Sequence, residues 1–453
     1  MTATFTPSSV RTFRHLGVDV DPASGTVALR YGFDDTHTFT EVVELPPFAD
    51  LPAPRRAALG RVLDLLHLAA GVSYHKAALA SRVTIERPAT AAELDLVARL
   101  YRYGLAELRW RNRLPLDDEP VIEAAEIVHP SPVDGVVLAH RPLVPVGGGK
   151  DSAVALEVAR AAGAGEPLAF SVGRHRPIDA TIEVAGVEAV HVRRRIDPAL
   201  IALNDHGAIN GHVPVTAVVS LLALATALIV GADDVLFANE RSASAPNLVA
   251  DGIGVNHQWS KGRDFEVLLA GLVATHVTPE LGYRSVLRPV SELGILAIFA
   301  GLPQYHPVFT SCNRVFAIRE ENRATSWCGN CDKCRFVTLG LAPFLPRAEV
   351  TAILGADLLD DPTQRAGFAE LCELDGHKPF ECVGEASESR FAAVAAAKRV
   401  DWASAGVLAE LAERSAPLVD EATARAEVFG LSDDHDVSPA HLAVLDAALR
   451  PHR

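Results

Sequence analysis

The stretch Leu143-Val-Pro-Val-Gly147-Gly-Gly-Lys-Asp-Ser152 decides the fold, and a helical pattern follows it at once in residues 153–162. An apolar run of β character stops at three glycines, and the Asp-Ser pair after them could cap a helix. The stretch therefore predicts a strand, a tight turn and the start of a helix. Further strand patterns lie at residues 167–172, 189–192 and 235–238. Strands that alternate with helices predict an α/β fold with a doubly wound parallel sheet, which binds ligands beyond the carboxyl ends of its strands.

The turn itself has the composition of a phosphate-binding loop. Its glycines lack Cβ atoms, so backbone N–H groups can approach a phosphate closely, and the helix dipole adds positive potential. The lysine supplies a mobile cation, the aspartate can hold Mg2+, and the serine can donate to phosphate oxygens. A plain structural turn is the alternative, and neither the Walker nor the dinucleotide pattern fits. The predicted nucleotide-binding residues are Gly147, Gly148, Gly149, Lys150, Asp151, Ser152 and, at the end of the next strand, Ser171.

Composition sets the class of protein. The chain has 453 residues, of which 49% are apolar and 22% are charged, as in a globular protein large enough for two or three domains. A net charge of -15 argues against a general nucleic-acid or membrane-surface binder, so we expect neither as a partner. The start of the chain lacks the basic and apolar segments of a secretion signal, and the cysteine usage favours a metal in a reducing compartment. These features predict a cytoplasmic protein.

Three regions are predicted: an amino-terminal α+β domain in residues 1–138, a nucleotide-binding domain in residues 139–340 and a helical region in residues 341–453. In the first region, alternating patterns at residues 26–33 and 39–45 predict a β-hairpin. This region carries no recognisable chemistry. We interpret it as a domain that covers or shapes the nucleotide site.

The apolar stretch at residues 213–232 is about as long as a bilayer span requires. Its alanines and hydroxyl side chains, and the strand pattern that follows it, favour a helix buried against the sheet instead. Residues 117–137, with three prolines and many acidic side chains, are predicted to form a linker.

Two polar segments come after the last predicted strand, at residues 239–247 and 255–262. The first combines acidic and basic side chains with hydroxyls and amides, which suits a polar ligand that carries a carboxylate, although a solvated loop is the alternative. In the second, Trp259 could stack on a base or sugar, and Lys261 could meet phosphate. The predicted substrate-binding residues are Asn239, Glu240, Arg241, Asn247, Gln258, Trp259 and Ser260.

Four cysteines are spaced as metal ligands. Three of them recur at every third residue, and one precedes them in a separate loop. Four thiolates match a tetrahedral Zn2+ ion, and a closed site of this kind is structural because no position is open for water. A redox Cys-x-x-Cys pair and an iron–sulfur cluster are the alternatives. The predicted ligands are Cys312, Cys328, Cys331 and Cys334.

Residues 375–385, between two predicted helices, form a loop with several potentially reactive side chains. Lys378, Glu381 and Cys382 occur there in a loop bounded by Gly and Pro, which is more typical of chemistry than of a plain helix connection. Cys372 precedes this loop, and buried inert cysteines are common, so either cysteine could be one of them.

The segment 147–152 resembles the PP-loop of the ATP pyrophosphatases, with Gly147 where that loop carries its first Ser. Such a loop combined with a later Cys-x-x-Cys-x-x-Cys is similar to two families. One is the 7-cyano-7-deazaguanine synthases, which keep the leading Ser and lack a comparable amino-terminal region. The chain more closely resembles the UDP-N-acetylmuramoyl-L-alanyl-L-glutamate epimerase (MurL) family, through the cysteine cluster and the segments 147–152, 239–247, 256–261 and 378–384.

This resemblance implies an enzyme that inverts the terminal L-Glu of UDP-MurNAc-L-Ala-L-Glu in peptidoglycan precursor synthesis, using ATP and Mg2+ and releasing AMP and diphosphate. The Glu amine lies in a peptide bond, so no imine can act as an electron sink, and adenylation of the carboxylate would acidify the α-proton instead. Lys150 would stabilise the departing diphosphate, with Mg2+ near Asp151. The candidates for the base are Cys382, Lys378, Glu381, His257 and Lys261.

Two other classes of function are compatible with the sequence. An amidating or thiolating PP-loop enzyme that contains zinc would form AMP only with ammonia or a sulfur donor, together with a deazapurine or RNA. A nucleotide sensor without catalytic activity would bind ATP without releasing diphosphate, and the adjacent Lys150 and Asp151 argue against it.

Overall fold

A computed structural model of the chain describes residues 5–163, 165–316, 321 and 323–453. The strands in this part of the chain are β1 Thr12–Asp21, β2 Thr26–Phe33, β3 His37–Glu44, β4 Arg82–Ala89, β5 Val121–Ile127, β6 Ala139–Pro145, β7 Leu168–Val172, β8 Ala189–Arg195, β9 Ala232–Phe237, β10 Leu248–Ala250, β11 Ile253–Val255 and β12 Gly282–Ser285. The α-helices are α1 Ala53–Ala70, α2 Val72–His75, α3 Ala91–Arg102, α4 Ala106–Arg111, α5 Lys150–Ala161, α6 Arg176–Ala185, α7 Pro198–Asn204, α8 Val215–Val230, α9 Arg263–Leu272, α10 Glu292–Ala300, α11 Asp332–Leu341, α12 Arg347–Leu354, α13 Arg365–Leu371, α14 Ala386–Ala397, α15 Gly406–Ser415, α16 Glu421–Phe429 and α17 Pro439–Leu449.

Ten of these strands form one sheet with the order β12-β9-β6-β7-β8-β3-β2-β1-β4-β5. The five strands from β12 to β8 in this order are parallel throughout. Counted along the chain, the neighbours β6 and β9 are the first and the fourth of these five strands, so the strand order reverses between them. This reversal is a topological switch point, beside which ligands bind in doubly wound sheets.

The parallel strands are covered on both faces. Leu143 of β6 and Val235 of β9 belong to a hydrophobic cluster that includes residues of α8. Their chain neighbours Val144 and Leu236 belong to a second cluster, which includes residues of α5. Successive side chains of a strand point to opposite faces, so this alternation places helices on both sides of the sheet. The predicted α/β class, with a largely parallel sheet between two helical layers, is therefore confirmed.

The amino-terminal strands extend the same sheet. β2 and β3 pair antiparallel along their whole length, which confirms the predicted hairpin. β3 in turn pairs antiparallel with β8, with Val43 opposite Arg194. Strands from both sides of residue 138, the predicted domain boundary, therefore belong to one sheet. The division into three regions stays a prediction.

The prediction of a linker at residues 117–137 is wrong, because this segment contains β5, which pairs parallel with β4 at the edge of the sheet. Most residues of β5 are exposed, including Val121 and Ile127. An edge strand with acidic side chains at exposed positions lacks the apolar alternation by which a strand is recognised.

The apolar stretch at residues 213–232 forms α8, which packs against α1 and β9. Gly231 ends this helix with φ 86°, a left-handed conformation that a residue without a Cβ adopts readily. β9 begins at the next residue, as the buried-helix prediction requires. No helix in the described part of the chain has both the length and the apolar character needed to cross a membrane.

The carboxyl-terminal region is helical from α12 to α17, as predicted. Its apolar side chains belong to the same cluster as those of α5. α17 contacts α5, so the carboxyl-terminal helices pack on the face of the sheet that α5 covers.

Candidate active site

A cavity of about 510 Å³ lies at the switch point, where β6 and β9 end. Its apolar wall includes Phe170 of β7, Val219 of α8 and Phe237 of β9, and the glycine turn belongs to its polar wall. Sites for small molecules commonly have volumes of about 300–1,000 Å³ and combine apolar walls with a few polar groups. The cavity can therefore hold a ligand of cofactor size at the position that the sheet topology favours.

The glycine turn leaves space on one side only. A Cβ on Gly147 would meet no atom within 4 Å, whereas a Cβ on Gly148 would lie 2.7 Å from the carbonyl carbon of Pro177. Gly148 also has φ 78°, in the left-handed region that favours glycine. A Cβ on Gly149 would lie 2.8 Å from Ser311 Oγ. Close packing therefore explains the second and third glycines, while the first one borders open space.

Helix α5 begins earlier than the sequence predicts. Its N-cap is Gly149 and its first residue is Lys150, so the predicted cap at Asp151 and Ser152 is wrong. Glycine is accepted at an N-cap, which lets the helix start directly after the turn. Ser152 Oγ donates to the Gly149 carbonyl at 3.0 Å, and Asp151 lies in the first turn, where the helix dipole favours a carboxylate.

Lys150 is buried between two carboxylates. Its Nζ donates to Asp151 Oδ1 at 2.5 Å and to Glu292 Oε2. The side chains of Lys150 and Glu292 are each 4% exposed. Burial lowers the pKa of Lys150, but the two carboxylates outweigh it and raise this pKa, while burial raises the pKa of Glu292. Lys150 is therefore a fixed positive charge in the cavity wall rather than the mobile cation that the sequence suggested.

Three carboxylates line this part of the cavity, namely those of Asp151, Glu240 and Glu292. Glu240 is 4% exposed, and its Oε1 has no hydrogen-bond partner among the described residues. A buried carboxylate oxygen without a donor is costly, and carboxylate oxygens are the ligands that Mg2+ prefers. The donor atoms are thus of the type that binds a divalent cation, although the three carboxylates do not all come within 4.8 Å of one another.

Cys382 lines the same cavity from the loop between α13 and α14. Lys261 Nζ donates to Cys382 Sγ at 3.1 Å, and Lys333 of α11 is also part of the wall. Burial would raise the pKa of the thiol, but the charges of Lys261 and Lys333, with the contribution of His257, lower it to about 6. Cys382 is therefore largely a thiolate at neutral pH, the form that can accept a proton.

His257 interacts with Cys382 and with a carboxylate. Its Nδ1 donates to Glu107 Oε2 at 2.5 Å. Burial lowers the pKa of His257, but its hydrogen-bonding interactions with Cys382 and Glu107 outweigh it and raise this pKa to about 9. Glu107 belongs to α4, so the amino-terminal region, which showed no recognisable chemistry, contributes a group to the site.

The structure brings many of the predicted residues to one place. The predicted residues that line the cavity are Gly147, Gly149, Lys150, Asp151, Ser152, Ser171, Asn239, Glu240, Lys261 and Cys382. The predicted residues outside its described wall are Gly148, Arg241, Asn247, His257, Gln258, Trp259, Ser260, Lys378 and Glu381. The glycine turn and two candidate bases, Lys261 and Cys382, thus share a single cavity.

Trp259 lies in the protein core. Its ring packs on those of Tyr103 and Phe265, at centroid distances of 5.9 and 5.5 Å. It is 8% exposed, and its neighbours Gln258 and Ser260 are buried as well. This geometry favours a packing role over stacking on a ligand. The ligand role was predicted because the neighbours of Trp259 in the sequence are polar.

Three other predicted residues are engaged within the protein. Arg241 donates to the carbonyl of Glu427 at 2.9 Å, and Glu381 accepts from Asn313 Nδ2 at 2.6 Å. Asn247 bonds to two separate segments through its amide group. These partners give each residue a role in holding the loops around the cavity.

Sequence reasoning missed three charged residues of the site. Glu292 follows Ser291, the N-cap of α10, and has the pattern of an ordinary acid in a first helical turn. Lys333 lies between two predicted zinc ligands, and the zinc loop alone accounts for it. Glu107 has Arg111 as its i,i+4 partner, which is typical of a solvated helix face. Since each has an ordinary local explanation, only the three-dimensional arrangement identifies it.

The four predicted cysteine ligands come together. Their sulfur atoms all lie within 4.8 Å of one another, with Cys331 Sγ 3.5 Å from Cys334 Sγ and 4.0 Å from Cys312 Sγ. In a tetrahedral site with Zn–S bonds of about 2.3 Å, the sulfurs are about 3.8 Å apart. The cluster is therefore compatible with a structural Zn2+ ion. Such an ion would join the loop at Cys312 to the start of α11, and residues of both segments line the cavity.

We expect Cys331→Ser to lose most of its zinc, because a serine hydroxyl is a poor substitute for the thiolate that closes a four-cysteine site. Elemental analysis should find about one zinc per chain in the wild type and almost none in the variant, which should also unfold at a lower temperature. Cys372→Ala is the matched control, since Cys372 is a buried free cysteine outside the cluster. A full zinc content in the Cys331 variant would contradict this ligand assignment.

Comparisons with known proteins identify the family. A model of the MurL N-terminal domain matches residues 4–286, and a model of the MurL C-terminal domain matches residues 308–426. Proteins named UDP-N-acetyl-alpha-D-muramoyl-L-alanyl-L-glutamate epimerase are similar along most of the chain. The one from Micromonospora sp. is 45% identical over 432 residues, which are 94% of this chain and 96% of the relative. The one from Salinispora tropica is 46% identical over 401 residues, 88% of this chain and 87% of the relative.

The relative from Xanthomonas oryzae pv. oryzae is 40% identical over 443 residues, 96% of this chain and 97% of the relative. No solved structure matches the chain. Identities of this size over nearly the whole length, together with the two domain matches, show that the chain belongs to the MurL family.

Proposed function

We propose that the protein inverts the terminal L-Glu of UDP-N-acetylmuramoyl-L-alanyl-L-glutamate, after ATP has activated the α-carboxylate of that residue as an adenylate. The similar proteins carry the name of this epimerase. The observation that supports the activation step is that the glycine turn, with Lys150 and Asp151, lines the same cavity as the Cys382 thiolate. A place suited to nucleotide phosphates thus adjoins a group that can accept a proton.

Activation of the carboxylate is what makes the inversion chemically accessible. The α-proton beside a carboxylate is very weakly acidic, because its removal adds charge next to an existing anion. The Glu nitrogen of this substrate is an amide, so it cannot form an imine with a cofactor. A mixed anhydride carries no charge at the carbonyl and accepts electrons from the α-carbon, and each unit by which the α-proton's pKa falls is worth about 1.4 kcal/mol.

In the activation step, the α-carboxylate attacks the α-phosphorus of ATP and diphosphate leaves. Lys150, held positive by its two carboxylates, stabilises the charge that develops on the departing diphosphate. Asp151, Glu240 and Glu292 are the residues that would hold Mg2+, which neutralises phosphate charge when it is bound. The open side of the turn at Gly147 is where the phosphates approach the backbone.

Cys382 is the base that we favour among the five candidates. Burial lowers the pKa of Lys261, but the charges of Cys382 and Glu240 outweigh it and raise this pKa, so Lys261 holds its proton. Lys378, Glu381 and His257 lie outside the described wall of the cavity, and His257 also holds its proton at neutral pH. Cys382 therefore takes the α-proton. A solvent-derived proton then adds to the other face of the planar enolate, and the Cys382 thiol returns its proton to solvent. Hydrolysis of the anhydride by water gives D-Glu and AMP.

The rate of inversion is expected to rise with pH and then reach a plateau. It should rise as the pH passes about 6, where Cys382 loses its proton and becomes able to accept one. Above about pH 9, where His257 loses its proton, the rate should stay on a plateau, because even an ordinary thiol is ionised at that pH. Initial rates of D-Glu formation between these limits and beyond them measure the curve, and a rate that does not change near the lower limit would contradict a thiolate base.

The proposed function is tested by incubating the enzyme with Mg2+ and ATP, with and without UDP-MurNAc-L-Ala-L-Glu. AMP and diphosphate are expected only when this substrate is present, and chiral analysis of the hydrolysed product should show D-Glu. In D2O, the α-carbon of the product should gain deuterium. Inversion without ATP, or AMP formation that does not depend on the substrate, would contradict the proposal.

A further inference from the structure

Helix α4 holds the loop that carries Cys382. The ring of Trp110 stacks on that of Phe380 at a centroid distance of 5.0 Å, and the guanidinium carbon of Arg111 lies 4.9 Å from the centroid of the same ring. Stacking and cation–π contacts of this kind fix an aromatic side chain in place. Because Phe380 is two residues before Cys382 in the sequence, these contacts anchor the loop close to its thiol.

The same helix also holds His257. Glu107 is 4% exposed, and its two carboxylate oxygens have different partners. Oε1 accepts from Arg111 Nε at 2.6 Å, and Oε2 accepts from His257 Nδ1 at 2.5 Å. A carboxylate bonded to one ring nitrogen fixes the orientation of the imidazole and determines what the other nitrogen can do.

Asn247 connects the His257 segment to the Cys382 loop. Its Oδ1 accepts from the backbone N–H of His257 at 2.9 Å, and its Nδ2 donates to the carbonyl of Pro379 at 3.2 Å. Two segments that are far apart in sequence are therefore bonded through one side chain, and α4 contacts both of them. The amino-terminal region thus does more than cover the nucleotide site.

We propose that Glu107 is a positioning residue for the proton transfer: it holds His257 as an imidazolium beside the Cys382 thiolate, so that the amino-terminal region completes the site. The proton transfer itself rests on the proposed function. In that step the thiolate takes the α-proton and becomes a thiol, and the electrons of the C–H bond pass to the enolate. Glu107 and His257 keep their charges, and the positive charge of His257 keeps Cys382 ionised before the transfer.

The charged and titratable groups around this pair come from several elements. The groups near His257 are Glu107, His212 and Cys382. His212 also has Arg111 and Lys261 nearby. The groups near Cys382 are Lys261, Lys333 and His257. The rings of His212 and His257 lie 4.1 Å apart between centroids. Burial, followed by the charge of His257, lowers the pKa of His212 to about 4, so His212 stays neutral. Glu107 therefore supplies the negative charge that balances the imidazolium.

The test is Glu107→Gln in the full-length holoenzyme, which keeps the size of the side chain and one acceptor oxygen but removes the charge. Alkylation by iodoacetamide, followed by mass spectrometry of the Cys382 peptide, measures the fraction of thiolate against pH. We expect the apparent pKa of this thiol to rise by about one unit, which makes alkylation at about pH 5 roughly tenfold slower. Glu119→Gln is the matched control, since Glu119 forms an exposed ion pair with Arg102 in the same region, and it should behave as the wild type.

Turnover gives the second readout. Deuterium uptake at the α-carbon should fall roughly 10²-fold in the Glu107→Gln variant, as expected when a reacting group is displaced, while substrate-dependent AMP formation is retained. Unchanged alkylation, or an equal loss of both activities, would overturn the inference. If this variant does not fold, His257→Gln removes the imidazolium itself, and a thiol that titrates as in the wild type would then overturn the inference. If the wild type forms no AMP, the proposed function fails, and the alkylation profile alone still decides the role of Glu107.

Discussion

Replacement of Cys382 by alanine is expected to slow inversion roughly 10³-fold, because removal of a general base typically costs about 10²–10⁴-fold in rate. The substitution removes the thiolate that lines the cavity but leaves the glycine turn and Lys150 in place. Formation of AMP should therefore decrease much less than uptake of deuterium from D2O at the α-carbon. Cys382→Ser should be nearly as slow, since a serine hydroxyl at the same position stays protonated at neutral pH.

Cys372 provides the matched control for this experiment. It is fully buried, and burial raises the pKa of its thiol to about 12, so it is protonated and lies in the core. Cys372→Ala should keep the wild-type rate of inversion, although it loses some core packing. If Cys382→Ala exchanges deuterium at the normal rate, Cys382 is not the base, and the remaining candidates are Lys378, Glu381, His257 and Lys261.

The parts of the site that could be predicted from the sequence are those encoded by neighbouring residues. The turn at Gly147 is recognisable because a strand, three glycines and a helix start are contiguous. The cysteine cluster is recognisable because three ligands recur within a few residues, and the structure brings the fourth to within 4.8 Å of them. Helices and buried strands of the parallel sheet were likewise predicted from periodicity within each segment.

The parts that could not be predicted depend on pairs far apart in the chain. Lys150 and Glu292 are separated by 142 positions, and Glu107 and His257 by 150. Neither acid differs locally from an ordinary acid on a helix surface, so no pattern within its segment signals burial. The edge strand β5 escaped prediction for the related reason that most of its residues are exposed and acidic side chains interrupt its apolar pattern. Whether a residue is buried depends on how the whole chain packs. For this reason neither the two buried acids nor the exposed edge strand could be predicted from its own segment.

The second large effect is expected at Lys150. Replacement by methionine leaves Glu292 buried at 4% exposure without its cation, and breaking a buried ion pair from one side costs about 3–5 kcal/mol of stability. Since burial already raises the pKa of Glu292, the variant must either bury a charge or keep Glu292 protonated. A folded-state pKa above the unfolded one means that the penalty is absent below about pH 4.3 and grows as the pH rises. Urea unfolding at about pH 5 and pH 8 measures this difference, with Lys398→Met as the control, because the exposed Lys398–Glu421 pair is worth at most about 1 kcal/mol.

The double variant Lys150→Met with Glu292→Gln separates folding from chemistry. It removes both charges, so no ion is left unpaired at that position, and most of the lost stability should return. Formation of AMP should nevertheless stay roughly 10²–10³-fold below the wild type, because the positive charge that stabilises the departing diphosphate is absent in both variants. If the double variant recovers AMP formation along with stability, Lys150 serves only to neutralise Glu292. A stable enzyme that still fails to release diphosphate would mean that the buried cation is retained for the reaction, since the fold alone can be kept without it.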